Sequence, residues 1–406
     1  MKDSLKWIDS ARFIRDSVLN SYGQIFFSNA RSFSILLFLA SFANPFAGVC
    51  GLLSLLITIS FAYGFGLKED QIRSGAYGYN SLMVGFVIGV FYQVNFPLLV
   101  ILFFTSILTL FITVWIASVM SLYKLPYLSI PFIVAVWILL LSTRSFEALR
   151  LSERGVYTMN EMSQGTGSYW TDIIQKINLT TLPFFLDLYF KSIGAIIFQY
   201  NLISGVLIAG GMLLYSRIAF SLSLIGFYFG YLFCYFVQGN LPELEYSYIG
   251  FNFILTAIAL GGFYLIPSVR SYALVMLTMP LVSLMMSAFN RLAVGFQLPV
   301  YSLPFSVLVL LVIIVLRQRA GSRKLALTEF QEFSPERNLY AHHTRQERFK
   351  NDTHLQIGLP FFGTWHVSQG HAGELTHLED WQYAWDFDVR DNHGKTFRLP
   401  GTSTAD

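Results

Sequence analysis

The chain has 406 residues, 54% hydrophobic, 17% aromatic and 13% charged, with a formal net charge of +3 and a mean hydropathy of +0.54. Globular domains carry about 25% charged residues, so a water-soluble enzyme of this length is excluded, and no basic patch of nucleic-acid type stands out. Cys50 and Cys234 lie inside apolar runs and form neither a disulfide framework nor a metal knuckle.

At the N-terminus Lys2, Lys6, Arg12 and Arg15 alternate with Leu5, Trp7, Ile8, Phe13, Ile14 and Val18. That amphipathic spacing, without the apolar core of a cleavable leader, predicts a membrane-surface segment over residues 1–14. A first membrane region is predicted over 15–142. It comprises a short segment at 15–28 and apolar runs at 33–44, 45–65, 77–91, 96–120 and 127–141. The run 96–120 holds 25 residues without a charge, about 37 Å as a helix against a hydrocarbon core of about 30 Å. The stretch 33–65 has a second reading, one long helix kinked at Asn44-Pro45. Residues 143–182 are predicted as a loop, and 183–316 as a second membrane region opening on a short segment at 184–199. Charge returns beyond Leu316, giving a charged linker over 317–357 and an appended segment over 358–406. All seven histidines (His342, His343, His354, His366, His371, His377 and His393) lie in this last part.

The two membrane regions resemble each other. Gly23-Gln24-Ile25-Phe26-Phe27 matches Gly194-Ala195-Ile196-Ile197-Phe198, displaced by 171 residues. Gly78-Tyr79-Asn80-Ser81-Leu82-Met83 matches Gly250-Phe251-Asn252-Phe253-Ile254-Leu255, displaced by 172. Leu125-Pro126-Tyr127-Leu128-Ser129-Ile130-Pro131-Phe132 matches Leu298-Pro299-Val300-Tyr301-Ser302-Leu303-Pro304-Phe305, displaced by 173. Three ordered matches with so little drift imply a duplication. Five spans per copy would invert the second relative to the first. The fold class predicted is therefore an all-α polytopic membrane protein with two inverted repeats, each of five transmembrane helices and one tilted re-entrant half-helix. A small partial β domain follows. With both termini cytoplasmic, the basic residues inside, among them Lys2, Lys6, Lys68, Arg73, Lys124, Arg270 and Arg317, outnumber those outside, as the positive-inside rule requires.

The repeated motifs carry the chemistry. Two prolines five residues apart break or start a helix, and irregular backbone at membrane depth is tolerated only inside protein or beside a water-filled cavity. Ser129 and Ser302 thus become candidates to line a polar path. The plainer reading is a packing kink with the serine bonded back to its own helix. Tyr79 and Met83 stand at i and i+4 on one face, as do Phe251 and Leu255, and two such faces would form a flat slot. Asn80 and Asn252, one residue round, can pin the helix to neighbouring backbone. Ion-coupled carriers place ionisable side chains within their spans. Here Arg217 and Asp187 stand only near segment ends, which favours a small neutral solute and gradient-driven passage.

Together these motifs resemble the urea transporter family over residues 15–316. The resemblance implies a passive urea channel needing no cofactor, multi-pass in a bacterial inner membrane, assembled as a homotrimer with one pore per protomer. By position it implies slots formed by Tyr79, Met83, Phe251 and Leu255, serines Ser129 and Ser302 where the family has threonine, and a mouth lined by Gln24 and Phe27 with Phe198 opposite. Pro131, Phe132, Pro304 and Phe305 complete the structural motif with the two asparagines. Ala195 departs from the family at the counterpart of Gln24, Met83 replaces a leucine, and Tyr79 adds a hydroxyl.

In the tail, Trp381, Tyr383, Trp385, Phe387 and Val389 alternate with polar residues, predicting a strand over 381–390. Asn392-His393-Gly394 is a hairpin signal. The segment resembles the opening of a lysostaphin-type zinc metallopeptidase, which implies His377 and Asp386 as two zinc ligands. The later His-x-His pair of such a site does not follow, so the expectation is half a site. A membrane-anchored zinc peptidase acting on peptidoglycan is the rival reading, and an ion-coupled carrier of a small amide is a third.

Overall fold

The computed structural model describes residues 2–151, 182–239, 244, 248–319, 325–328, 331–349, 365–373, 376–390 and 396. Most of the loop predicted at 143–182 and the hairpin signal at 392–394 lie outside them. The chain divides into two compact units, Met1–Arg345 and Gln346–Asp406.

Helix α1 (Lys2–Gln24) runs without a break through the predicted surface segment and the first short segment. It is followed by α2 (Arg31–Ser41), α3 (Pro45–Gly64), α4 (Glu69–Arg73), α5 (Tyr79–Phe91), α6 (Phe96–Leu122) and α7 (Ile130–Thr143). The second region contains α8 (Phe184–Ala195), α9 (Leu202–Tyr215), α10 (Arg217–Phe236), α11 (Phe251–Ile258), α12 (Val269–Val294) and α13 (Leu303–Arg317). Asn44-Pro45 separates two helices: the Asn44 side chain accepts from the Phe46 and Ala47 N–H groups at 3.1 and 3.2 Å, and Pro45 sits where a missing N–H costs nothing. Asn95, Asn201, Ser216 and Ser268 cap α6, α9, α10 and α12 in the same way. Each such cap contributes about 1 kcal/mol.

Only α3, α6, α10 and α12 are long and apolar enough to cross a membrane. The other apolar helices are short; α5, with 13 residues, rises about 20 Å. Helix ends inside the hydrocarbon must find partners within the protein, and the ends of these short helices make the site described below. Bounds recur along the chain: α3 begins at Pro45 and α10 at Arg217, 172 residues on, and Tyr79–Phe91 is matched by the run Phe251–Phe263 at the same displacement.

Both short N-terminal helices end in one turn. Past α1 the Ser28 N–H bonds the Gly23 carbonyl at 3.0 Å with Phe27 left-handed at φ 60°, and past α8 the Gln199 N–H bonds the Gly194 carbonyl at 3.1 Å with Phe198 at φ 60°. Glycine normally takes that place, and a phenylalanine there costs about 1–3 kcal/mol.

Close approach of α5 to α3 depends on glycine. A Cβ on Gly85 would stand 2.5 Å from the Cys50 carbonyl oxygen, and one on Gly89 2.4 Å from that of Phe46. Small residues four apart let helix backbones touch in lipid, where packing rather than hydrophobicity drives association. Gly226 does the same for α10 against Ala257.

In the second unit β1 (His366–Gln369) pairs antiparallel with β2 (Asp386–Asp388), His366 opposite Asp388, with a bulge between Val367 and Gln369. The strand predicted over 381–390 is shorter, since Glu379–Trp381 forms a 3₁₀ turn and β1 supplies only four residues to pair with.

Gly89→Val is expected to lower the unfolding midpoint of the purified protein in detergent, by the equivalent of about 1–3 kcal/mol for overpacking. A thermal melt unchanged from wild type would contradict the backbone contact.

Candidate functional site

The first turn of a helix leaves its N–H groups without intrahelical partners. Helices α7 and α13 start immediately after Ser129 and Ser302, yet neither serine side chain caps its own helix. Pro131 and Pro304 each remove one N–H. The next, those of Phe132 and Phe305, donate to the side-chain oxygens of Asn80 at 3.2 Å and Asn252 at 3.3 Å. With the caps supplied from α5 and α11, the serine hydroxyls are free to meet each other. Ser129 Oγ stands 2.7 Å from Ser302 Oγ and 2.9 Å from Ser306 Oγ. The residues before both serines are left-handed, Leu128 at φ 47° and Tyr301 at φ 46°. Their carbonyls are held by the Tyr79 hydroxyl and the Asn252 amide respectively.

A cavity of about 140 Å³ opens beside the serine pair. A single water needs roughly 10–15 Å³ of such space, so a solute of a few heavy atoms fits. Seven of the sequence-predicted residues line it: Gln24, Phe27, Tyr79, Met83, Ser129, Leu255 and Ser302. Tyr127, Phe263, Tyr264 and Phe305 complete its aromatic walls. The Tyr79 and Tyr127 rings stack at 6.0 Å and 24°, and Phe27 lies 4.8 Å from Phe263 and 6.2 Å from Phe305. The lining carries no formal charge. An ion entering it would lose water without gaining a counter-charge, whereas a neutral polar solute would find hydroxyls, carbonyls and ring faces.

Phe198 and Phe251 are not brought to this cavity. Phe198 is buried against Phe132 and Tyr301, ring centres 5.9 and 5.4 Å away, and Phe132 meets Tyr301 at 5.5 Å. Tyr301 stands where the first region has Leu128, and its larger ring fills the corresponding space. Phe251 is half-buried against other apolar residues. Ser306 was absent from the sequence expectation because its counterpart is Ile133; its position four residues after Ser302, on the same helical face, was the signal for it. Tyr264 and Phe263 belong to no repeated motif.

In the tail, Nε2 of His377 lies 3.2 Å from Asp386 Oδ1, and its Nδ1 lies 2.6 Å from the Gly370 carbonyl oxygen. That carbonyl fixes the ring, as outer-shell acceptors do for metal-binding histidines. Two donors are half of a zinc set, and among the described residues no third His, Cys, Asp or Glu joins them.

The Gly370 carbonyl, and after it Asp386, holds the His377 imidazole above its ordinary pKa of 6.5. Its charged form therefore stabilises the folded tail below about pH 6.5, and that contribution is lost as pH rises through the raised value. In EDTA, a titration of 13C-histidine-labelled protein is expected to give His377 a midpoint above 6.5, lowered in Asp386→Asn. A midpoint at or below 6.5 would contradict the pairing.

A family model described as "UT: Urea transporter" matches residues 15–317. Urea transporter 1 of Mus musculus is 23% identical over 272 residues, which cover 65% of this chain and 68% of that protein. The matched region takes in both membrane regions, both serine motifs and every residue around the cavity, and on that extent the chain belongs to the urea transporter family and is a channel for urea.

Proposed function

We propose that urea crosses through the uncharged cavity beside Ser129 and Ser302, in a protein built of two inverted halves, with no coupling ion. The observation carrying this reading is the 2.7 Å bond between the two serine hydroxyls, flanked by Tyr79, Met83 and Leu255. Three hydroxyl protons serve two oxygen-to-oxygen contacts, so one is left over. Ser306 is fully buried and has Ser129 as its hydroxyl partner. The order Ser306 to Ser129 to Ser302 therefore satisfies it and leaves the Ser302 proton for the cavity. Ser302 then donates to the urea carbonyl, and the remaining lone pair of Ser129 accepts a urea N–H. The flat solute slides between the Tyr79 ring and the aliphatic side chains, exchanging water for these partners at little net cost.

The same reading has the chain multi-pass in a bacterial inner membrane with cytoplasmic termini, and assembled as homotrimers. Charge asymmetry supports the orientation. Exposed Phe96, Phe104, Trp115 and Phe236 on α6 and α10 supply apolar surface for lipid or neighbouring protomers.

Proteoliposomes are expected to show urea flux well above empty vesicles, equal with and without sodium or proton gradients. Ser302→Ala should slow it about fivefold, the equivalent of one hydrogen bond of about 1 kcal/mol, and Ser306→Thr should retain more flux than Ser306→Ala. Flux that collapses with the gradient would favour a coupled carrier, and unchanged flux in Ser302→Ala would remove the serines from the path.

A further inference from the structure

Residues 325–349 lie beyond the stretch that matches the family, and the sequence reads them as linker. The structure gives them a task at the cavity wall. Helix α11 passes into a π-turn, Ala259–Phe263, while its counterpart α5 stays α-helical to Phe91. A π-turn displaces carbonyls from the helical ladder, and such turns concentrate at functional sites. Each displaced carbonyl has a partner. The Ser271 hydroxyl donates to that of Gly261 at 3.1 Å, the Asn338 amide to that of Gly262 at 3.5 Å, and the Gln331 amide to that of Phe263 at 2.6 Å. The next carbonyl, of Tyr264, accepts from the Thr328 N–H at 2.9 Å. Two of these four donors are side chains from beyond the membrane helices, and a third is backbone from the same segment.

The segment is anchored on both sides of the turn. The Phe333 ring packs on Phe263 at 6.0 Å, and Pro335 lies against Gly262 so closely that an added Cβ there would be 3.0 Å away. The Phe333 carbonyl accepts from the Tyr215 hydroxyl at 2.5 Å, and that hydroxyl also lies 3.5 Å from the Phe27 carbonyl oxygen. One oxygen of Glu336 accepts from the Ser216 hydroxyl and the Ile218 N–H, both at 2.9 Å, at the start of α10. Asn338 is 2% exposed, too buried for a passive linker residue and in place only because every polar atom is used.

We propose that this segment is a clamp that sets the spacing of the Phe27, Phe263 and Tyr264 rings, with Gln331 and Asn338 as positioning residues, and so fixes how wide a solute the channel admits. The proposal rests on the cavity being the urea path. Phe27 and Phe263 face each other across 4.8 Å, so a small shift of the π-turn changes the opening between them. Loosening the clamp enlarges or softens that wall without touching the serines.

The test compares urea with the bulkier 1,3-dimethylurea in proteoliposomes of the full chain. Gln331→Ala removes the donor to Phe263, and Tyr215→Phe removes the tie to Phe333 while keeping the ring, so it decides the matter should the first variant not fold. Both are expected to raise the dimethylurea-to-urea flux ratio several-fold at an unchanged melting midpoint. A ratio equal to wild type in the folded variants overturns the clamp while leaving the path intact, provided Ser302→Ala slows urea. If Ser302→Ala also leaves urea flux unchanged, the path itself is wrong and the clamp falls with it.

Discussion

The bond between Ser129 and Ser302 organises the centre of the protein. A serine at the start of a helix ordinarily bonds the N–H groups of its own first turn, and the two hydroxyls meet here only because Asn80 and Asn252 take that duty from neighbouring helices. The left-handed Leu128 and Tyr301 turn the chain so that each helix begins beside the other. Cost is accepted at several points: left-handed non-glycine residues, proline at two helix starts, and short helices ending within the hydrocarbon depth. Each is supported by contacts from the other membrane region, as when the Gln199 side chain bonds the Asn44 N–H and the Ser41 carbonyl at 2.8 and 2.9 Å.

Lack of charge decides which solutes this geometry serves. Hydroxyls and carbonyls give and accept hydrogen bonds without attracting an ion, and the aromatic walls keep bulk water away. A neutral, flat amide can exchange its hydration for such partners one at a time, and that exchange needs no energy source. The channel's direction of transport then follows concentration alone.

Much of this was legible in the sequence, because the motifs encode both backbone and side-chain roles. Two spaced prolines, an asparagine one residue after an aromatic, and their recurrence 171 to 173 residues later identified the broken helices and most of the cavity lining. What escaped were features without a repeat. Ser306 faces Ile133 in the matching register, the π-turn at Ala259–Phe263 has a regular counterpart, and Tyr301 fills by bulk the space that Leu128 leaves open. Residues 331–338 read as linker because their hold on the membrane helices consists of single polar side chains, each bonded to one exposed carbonyl, a pattern that hydropathy does not register. In the tail, alternation of aromatic and polar residues overstated a strand, since the paired partner extends over only four residues.

The central claim is that the two serine hydroxyls act as one unit on the permeating solute. A double-mutant cycle on urea flux in proteoliposomes, using Ser129→Ala, Ser302→Ala and the combined variant, tests it most directly. Coupled hydroxyls predict that the second replacement costs much less than the first, with a coupling of about 0.5–3 kcal/mol, as found for residues in one hydrogen-bond network. Losses that simply add, or no loss in any variant, would contradict it.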